Sequence, residues 1–205
     1  MNRMIRSNLA GPDLLRLGAY FVLVAVVGLL VMAKFLQGAP WPSWLALIIF
    51  GIAGLVAYNV VFILPTGVRL MPGTPVIMTA LCVYGLPLAL LAVVPSLLLH
   101  FFTQKNGLLN CLFNVGQMAL SLIMAMWTGS VLGWVPGVEL GAKALVVLPV
   151  MIFVHEVVNY GLVAGAIALE HKEEFLPWFR RIGYEDRRYA IPTVYVSSII
   201  SALLV

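Results

Sequence analysis

The sequence predicts an all-α fold: a polytopic membrane helix bundle with six to seven membrane segments. Of its 205 residues, 62% are hydrophobic and 10% are charged, the mean hydropathy is +1.05, and long apolar runs recur along the chain. Soluble domains are about half apolar and a quarter charged. A helix needs about 20 apolar residues to cross the hydrocarbon core of a bilayer. We therefore expect residues 1–205 to form a single integral membrane domain, with the lipid bilayer as its main partner.

Apolar stretches long enough for membrane-spanning helices lie at 14–36, 44–64, 107–134 and 144–169. The first follows a basic N-terminal segment, but it is too long for the core of a signal peptide, so we interpret it as a retained span. A further apolar segment, 189–205, ends without a polar tail. This ending suggests that the natural chain continues past Val205.

The stretch 74–102 is either one long tilted span or a short hairpin that turns at Gly85-Leu86-Pro87. With a hairpin, ten of the twelve Lys and Arg residues lie on the side of the N-terminus, whereas a single span divides them five to seven. Cytoplasmic loops carry an excess of Lys and Arg, and Gly and Pro are typical of turns. The sequence therefore favours the hairpin and a cytoplasmic N-terminus.

The charged segment 170–188 is predicted to be a cytoplasmic loop. Within it, an aromatic and aliphatic set falls at helical spacing: Phe175, Trp178, Phe179 and Ile182. This pattern is typical of one face of an amphipathic helix at the membrane surface. An ordinary interfacial loop is the alternative, because Pro177 restricts where a helix begins.

A histidine and a glutamate, His155 and Glu156, lie at the centre of the apolar stretch 144–169. An ionisable side chain at this depth costs at least about 2.5 kcal/mol unless it faces partners or water. The pair therefore marks a functional site. Asn159 follows His155 by four residues, and Tyr160 follows Glu156 by four, so each pair shares one side of the helix.

Asn114 and Gln117 are three residues apart in the segment 107–134 and are expected to be adjacent. They either join helices by hydrogen bonds or line a polar cavity. We predict a ligand-binding pocket formed by six residues: His155, Glu156, Asn159, Tyr160, Asn114 and Gln117.

The sequence contains no Gly-rich phosphate loop, no nucleophile elbow and no paired-carboxylate arrangement. We therefore expect no catalytic residue, no metal and no cofactor within these residues, and any catalytic domain would lie outside them. The net charge of +4 comes from scattered Lys and Arg residues, so nucleic acid is not an expected partner. Cys82 and Cys111 both lie in apolar segments, where they are typical of buried small side chains.

Small residues recur at 51–57 and 161–167 and favour close helix packing, either within the chain or between protomers. A homodimer or a larger membrane complex is thus among the expected partners, together with a small-molecule ligand.

Three stretches carry a resemblance to a known family: the hairpin around 84–87, the Phe-Asn-x-x-Gln segment at 112–121, and the segment from His155 to Val163. In this order, and with a charged loop and a further span behind them, they resemble the multi-span membrane sensor module that precedes HD-GYP or GGDEF domains in bacterial cyclic-di-GMP signalling proteins. The likeness covers about residues 40–205. The segment number and the hairpin also resemble, more weakly, the substrate-binding subunits of ECF vitamin transporters.

The first resemblance implies a membrane-embedded sensory module whose polar pocket relays a signal to a cytoplasmic output domain. The alternatives are a substrate-binding membrane subunit of a vitamin-type transporter and an accessory subunit of a larger membrane complex. A stoichiometric small molecule would distinguish the transporter subunit, and instability of the isolated chain would distinguish the accessory subunit.

Overall fold

The computed structural model of the protein describes residues 11–59, 62–63, 69–70, 73–104, 107–135 and 143–181. Six helices lie in this part of the chain: α1 (Gly11–Leu36), α2 (Trp44–Asn59), α3 (Gly73–Tyr84), α4 (Leu86–Gln104), α5 (Leu108–Val131) and α6 (Ala144–His171). A seventh, α7, covers residues 175–181. Two short strands, β1 (Phe62–Ile63) and β2 (Arg69–Leu70), pair antiparallel with Phe62 opposite Leu70. The described residues therefore form an all-α architecture apart from this short ladder.

Three helices are long and apolar enough to cross a membrane, as judged by length and composition: Gly11–Leu36, Leu108–Val131 and Leu145–His171. They confirm the helices predicted at 14–36, 107–134 and 144–169. The helix α3 has 12 residues and a length of about 18 Å, which is little more than half of the hydrocarbon core. The predicted segment 189–205 lies outside the described residues.

The second predicted span, 44–64, is shorter than expected. Its helix α2 ends at Asn59, and Phe62 and Ile63 are extended. Phe62 and Ile63 pair with Leu70 and Arg69, and aromatic and β-branched residues suit extended backbone. The predicted span continued past Asn59 because the prediction rested on apolar character alone.

The turn at Gly85 divides the stretch 74–102 into α3 and α4, which confirms two helices rather than one. Gly85 has a φ of 80°, a left-handed conformation that favours glycine because it has no Cβ. Pro87 lies in the first turn of α4, where a missing N–H leaves no helical hydrogen bond unmade.

The contacts between helices fix their relative directions. Phe21 stacks on Phe113 with ring centroids 4.5 Å apart, and Gly116 lies farther along α5 beside Ala25, so α1 and α5 run in the same direction. Tyr20 donates a hydrogen bond of 2.9 Å to the carbonyl oxygen of Leu162, and α6 runs opposite to both. A single span over 74–102 would have reversed α5 relative to α1. The direction of α5 therefore agrees with the hairpin.

We call the end of the bundle where α1 begins and α6 ends the Asp13 end. Here Lys172 Nζ lies 2.6 Å from Asp13 Oδ2. The helix α7 follows this end of α6, and its Trp178 ring stacks on His171 with centroids 5.0 Å apart. The helical interpretation of this segment is thus confirmed for 175–181, with Trp178 and Phe179 half-buried; Ile182 lies outside the described residues.

The hairpin of α3 and α4 forms the centre of the core. Ile77, Leu81 and Leu88 have no exposed surface. Helices that are apolar on all sides are buried in this way. Gly54 of α2 packs directly on the backbone of Ala92 in α4. A Cβ on this glycine would overlap the Ala92 carbonyl group.

Both small-residue stretches pack within the chain. Gly54 belongs to the first, and Gly165, in the second, lies under the Tyr20 ring: a Cβ there would lie 2.7 Å from the Tyr20 hydroxyl oxygen. These glycines therefore serve intramolecular packing.

Candidate functional site

The Glu156 side chain joins the middle of α6 to the start of α3. Its carboxyl oxygen Oε1 accepts a hydrogen bond of 3.0 Å from the hydroxyl of Thr74, the second residue of α3. Glu156 is 9% exposed. The first N–H groups of a helix lack helical partners and carry a partial positive charge. The start of α3 is therefore a favourable place for a carboxylate inside an apolar bundle.

Tyr58, at the end of α2, completes this part of the site. Its ring covers Gly73, where a Cβ would lie 2.7 Å from the Tyr58 Cζ atom. The phenol is also close enough to Glu156 for the two groups to interact electrostatically. Three helices, α2, α3 and α6, thus meet at one carboxyl group, and Gly73 is the residue that lets them approach.

His155 points to a different neighbour from Glu156, because consecutive residues of a helix lie about 100° apart. Its side chain is 1% exposed and lies against the backbone of Ser121 in α5. Within the part of the chain that the structure describes, its Nδ1 atom is buried and has no hydrogen-bond partner. A buried polar atom of this kind usually bonds to water or a ligand, since leaving it unpaired costs about 1–3 kcal/mol.

Gln117 and Asn159 form the second polar contact between α5 and α6. The Gln117 amide donates to the Asn159 side-chain oxygen and, at 3.3 Å, to its backbone oxygen. Gln117 is 6% exposed. Ser121 lies one turn farther along α5 from Gln117, and His155 lies one turn from Asn159, so the two contacts follow one another along the same helix pair.

The structure thus brings together four of the six predicted pocket residues, His155, Glu156, Asn159 and Gln117, where α6 meets its neighbours. Tyr160 is half-buried one turn beyond Glu156. Asn114 is exposed and does not share the buried position of Gln117. Three residues of spacing leave about 60° between two side chains on a helix, which is enough to place one inside a helix contact and the other outside it.

Sequence reasoning did not single out Thr74 or Ser121. A lone Thr near a helix start is usually a cap, and Ser121 donates a hydrogen bond of 2.9 Å to the Met118 carbonyl oxygen of its own helix. Their relation to the site depends on tertiary contacts. A buried Glu nevertheless requires a donor, and a hydroxyl at the start of a nearby short helix is one signal by which Thr74 could have been found.

No ion pair involves Glu156 among the described residues; those that the structure shows there lie at the Asp13 end, between Asp13 and either Arg16 or Lys172. Nor does this part of the chain group three or more His, Cys, Asp and Glu side chains as a metal site would. The chemistry that the arrangement offers is hydrogen bonding and proton exchange at a carboxyl group.

Comparisons of the chain with protein-family models, with curated proteins and with solved structures gave no match.

Proposed function

We propose that this protein is a multi-pass sensory module of the bacterial inner membrane, and that the carboxyl group of Glu156 is its responsive element. The observation that carries the proposal is the hydrogen bond from Thr74 to Glu156. It connects α6 to the hairpin of α3 and α4 through an ionisable group, and no cation in the described residues pairs with that group. A proton or a cationic ligand at Glu156 would therefore act directly on the contact between α3 and α6.

In this mechanism the hairpin packs against α6 in two alternative arrangements. Protonated Glu156 holds no full charge at the start of α3, so the electrostatic attraction between the carboxylate and the helix N-terminus is lost. A ligand changes a conformational equilibrium only by binding its two states differently. A proton does so here, because only the conformation that keeps Glu156 at the start of α3 is stabilised by the negative charge of its carboxylate. The resulting movement of α6 relative to α3 would reach a cytoplasmic output domain or partner through the Asp13 end.

The test follows the distance between α3 and α6 as the pH changes. Spin labels at Tyr84→Cys and Phe153→Cys, both exposed positions, report this distance in a chain with Cys82→Ala and Cys111→Ala, reconstituted in liposomes. We expect a pH-dependent helix shift of about 1–2 Å, and its loss in Glu156→Gln. The same shift in Glu156→Gln would refute the assignment of Glu156, and Glu173→Gln, an exposed position past the end of α6, is the matched control.

A substrate-binding subunit of a small-molecule transporter is the second candidate function. It is favoured by one observation: the N-terminus of the short helix α3 lies beside Glu156 within the bundle. Membrane transporters use discontinuous helices of this kind to bind substrates and ions near the bilayer midplane. Native mass spectrometry of the purified protein distinguishes the two, because a stoichiometric small molecule lost in Glu156→Gln supports the transporter subunit.

A further inference from the structure

The helix α5 carries a row of four polar side chains that leads toward His155. We call it the α5 polar row: Asn110, Asn114, Gln117 and Ser121. Their spacing of four, three and four residues places them on one side of the helix, within about 60° of one another. The side of α5 that meets the site is therefore polar from its first turn to its middle.

Burial differs between the two halves of this row. Asn110 is half-buried and Asn114 is exposed, whereas Gln117 is 6% exposed and Ser121 has no exposed surface. The helix α5 begins at the Asp13 end, since it runs in the same direction as α1. The row is thus open toward the Asp13 end and closed where it reaches α6.

The closed end of the row holds an acceptor or donor that lacks a partner. Ser121 lies against His155, whose Nδ1 atom is buried and unpaired within the described residues. Buried waters typically make about three hydrogen bonds to polar groups that would otherwise be unsatisfied. The Nδ1 atom of His155 is such a group. Gln117 and Asn159 place further polar groups next to it, whereas hydrocarbon supplies none.

We infer that the α5 polar row is a hydrated path that brings water and protons from the Asp13 end to His155 and Glu156. The inference rests on the proposed function, for which it names the proton as the ligand and the Asp13 end as its side of entry. Among the described residues, the titratable groups that face the site are His155 and Glu156, which interact with each other, and Tyr58, which faces Glu156 from α2. From α3 and α5 the site receives Thr74 and Ser121, which do not titrate in the physiological range.

The first test measures access of water to the row. Asn114→Cys is prepared in a chain with Cys82→Ala and Cys111→Ala, and a charged, membrane-impermeant methanethiosulfonate is added to either side of oriented vesicles. Val157→Cys is the matched control, because Val157 is 38% exposed and lies next to Glu156 on α6. The thiolate is the reactive form and hydrocarbon disfavours it, so Asn114→Cys should react at least about tenfold faster, from the Asp13 end. Equal rates for both variants would overturn the path.

The second test uses the unmodified chain, so that it does not depend on the folding of a variant. Transfer of magnetisation from water to the ¹⁵N-labelled histidine rings in liposomes reports water beside each ring. We expect transfer to Nδ1 of His155, assigned by its disappearance in His155→Gln. A His155 ring that receives none would contradict a hydrated path to the site.

The two proposals fail in different ways. A dry α5 polar row with a Glu156-dependent helix shift would remove the path and leave the sensory function in place. A hydrated row combined with an unchanged shift in Glu156→Gln would retain the path and remove the assigned role of Glu156.

Discussion

The helix α6 is held to its neighbours by two acidic contacts of opposite kinds. At the Asp13 end, Asp13 meets the charged amine of Lys172, whose side chain is 52% exposed. In the middle of the bundle, the neutral hydroxyl of Thr74 donates a hydrogen bond to Glu156, which is 9% exposed. Asp13 is partly exposed and has an opposite charge beside it, whereas Glu156 is buried and has no ion-pair partner among the described residues. Thr74 should therefore matter more for stability than Lys172, although its contact is chemically weaker.

Loss of the Thr74 hydroxyl should give the largest effect. Thr74→Val keeps the shape of the side chain and leaves the buried Glu156 carboxyl without this donor. We expect a loss of about 1.5–3 kcal/mol in the free energy of unfolding, as for hydrogen bonds to charged groups. Unfolding in mixed detergent micelles measures it.

The matched control for Thr74→Val is Thr128→Val. The Thr128 hydroxyl donates a hydrogen bond of 2.8 Å to the Met124 carbonyl oxygen of its own helix. Its removal leaves no buried charge unpaired, so the stability should change little. Equal losses in the two variants would show that Glu156 does not depend on Thr74.

The amide contact between α5 and α6 should give an intermediate effect. Gln117→Leu removes the donor to Asn159, and we expect a loss of about 0.6–2 kcal/mol, the range of interhelical hydrogen bonds in membranes. A double-mutant cycle with Asn159→Leu measures the coupling, because two apolar partners leave no unpaired amide. Additive losses in the double variant would mean that the two amides do not act as a pair.

Loss of the exposed ion pair should have the smallest effect. Asp13→Asn removes the charge opposite Lys172, but exposed pairs contribute little and are screened by salt. We expect an unfolding midpoint close to that of the parent chain, with any difference vanishing in high salt. A large, salt-independent loss would place this pair in a less solvated setting than the structure gives it.

The sequence predicted most helices, because apolar length and turn residues are local properties. Gly85 and Pro87 were sufficient to place the break between α3 and α4, and Lys and Arg counts favoured it independently. The end of α2 was less well predicted. Phe62 and Ile63 are apolar, and short apolar runs occur in both helices and strands.

The candidate site was predicted only in part. His155 and Glu156 were identified because their burial in an apolar stretch requires partners, but those partners come from elsewhere in the chain. Thr74 is 82 positions from Glu156, and no helical period relates the two. Asn114 and Gln117 show the limit of predictions from helical spacing. The spacing places both residues on one side of α5, but it does not say which of them a neighbouring helix covers.

The close crossing of α1 and α5 has a consequence for how the protein is made. Gly28 lies directly against the backbone of Gly116, roughly 90 residues later in the chain. At about 5–20 residues per second, synthesis separates the two by on the order of 5–20 s. During that interval α2, α3 and α4 are made, while Gly28 still lacks its contact with α5. The helix α1 therefore gains its contact with α5 only after α2, α3 and α4 have been made.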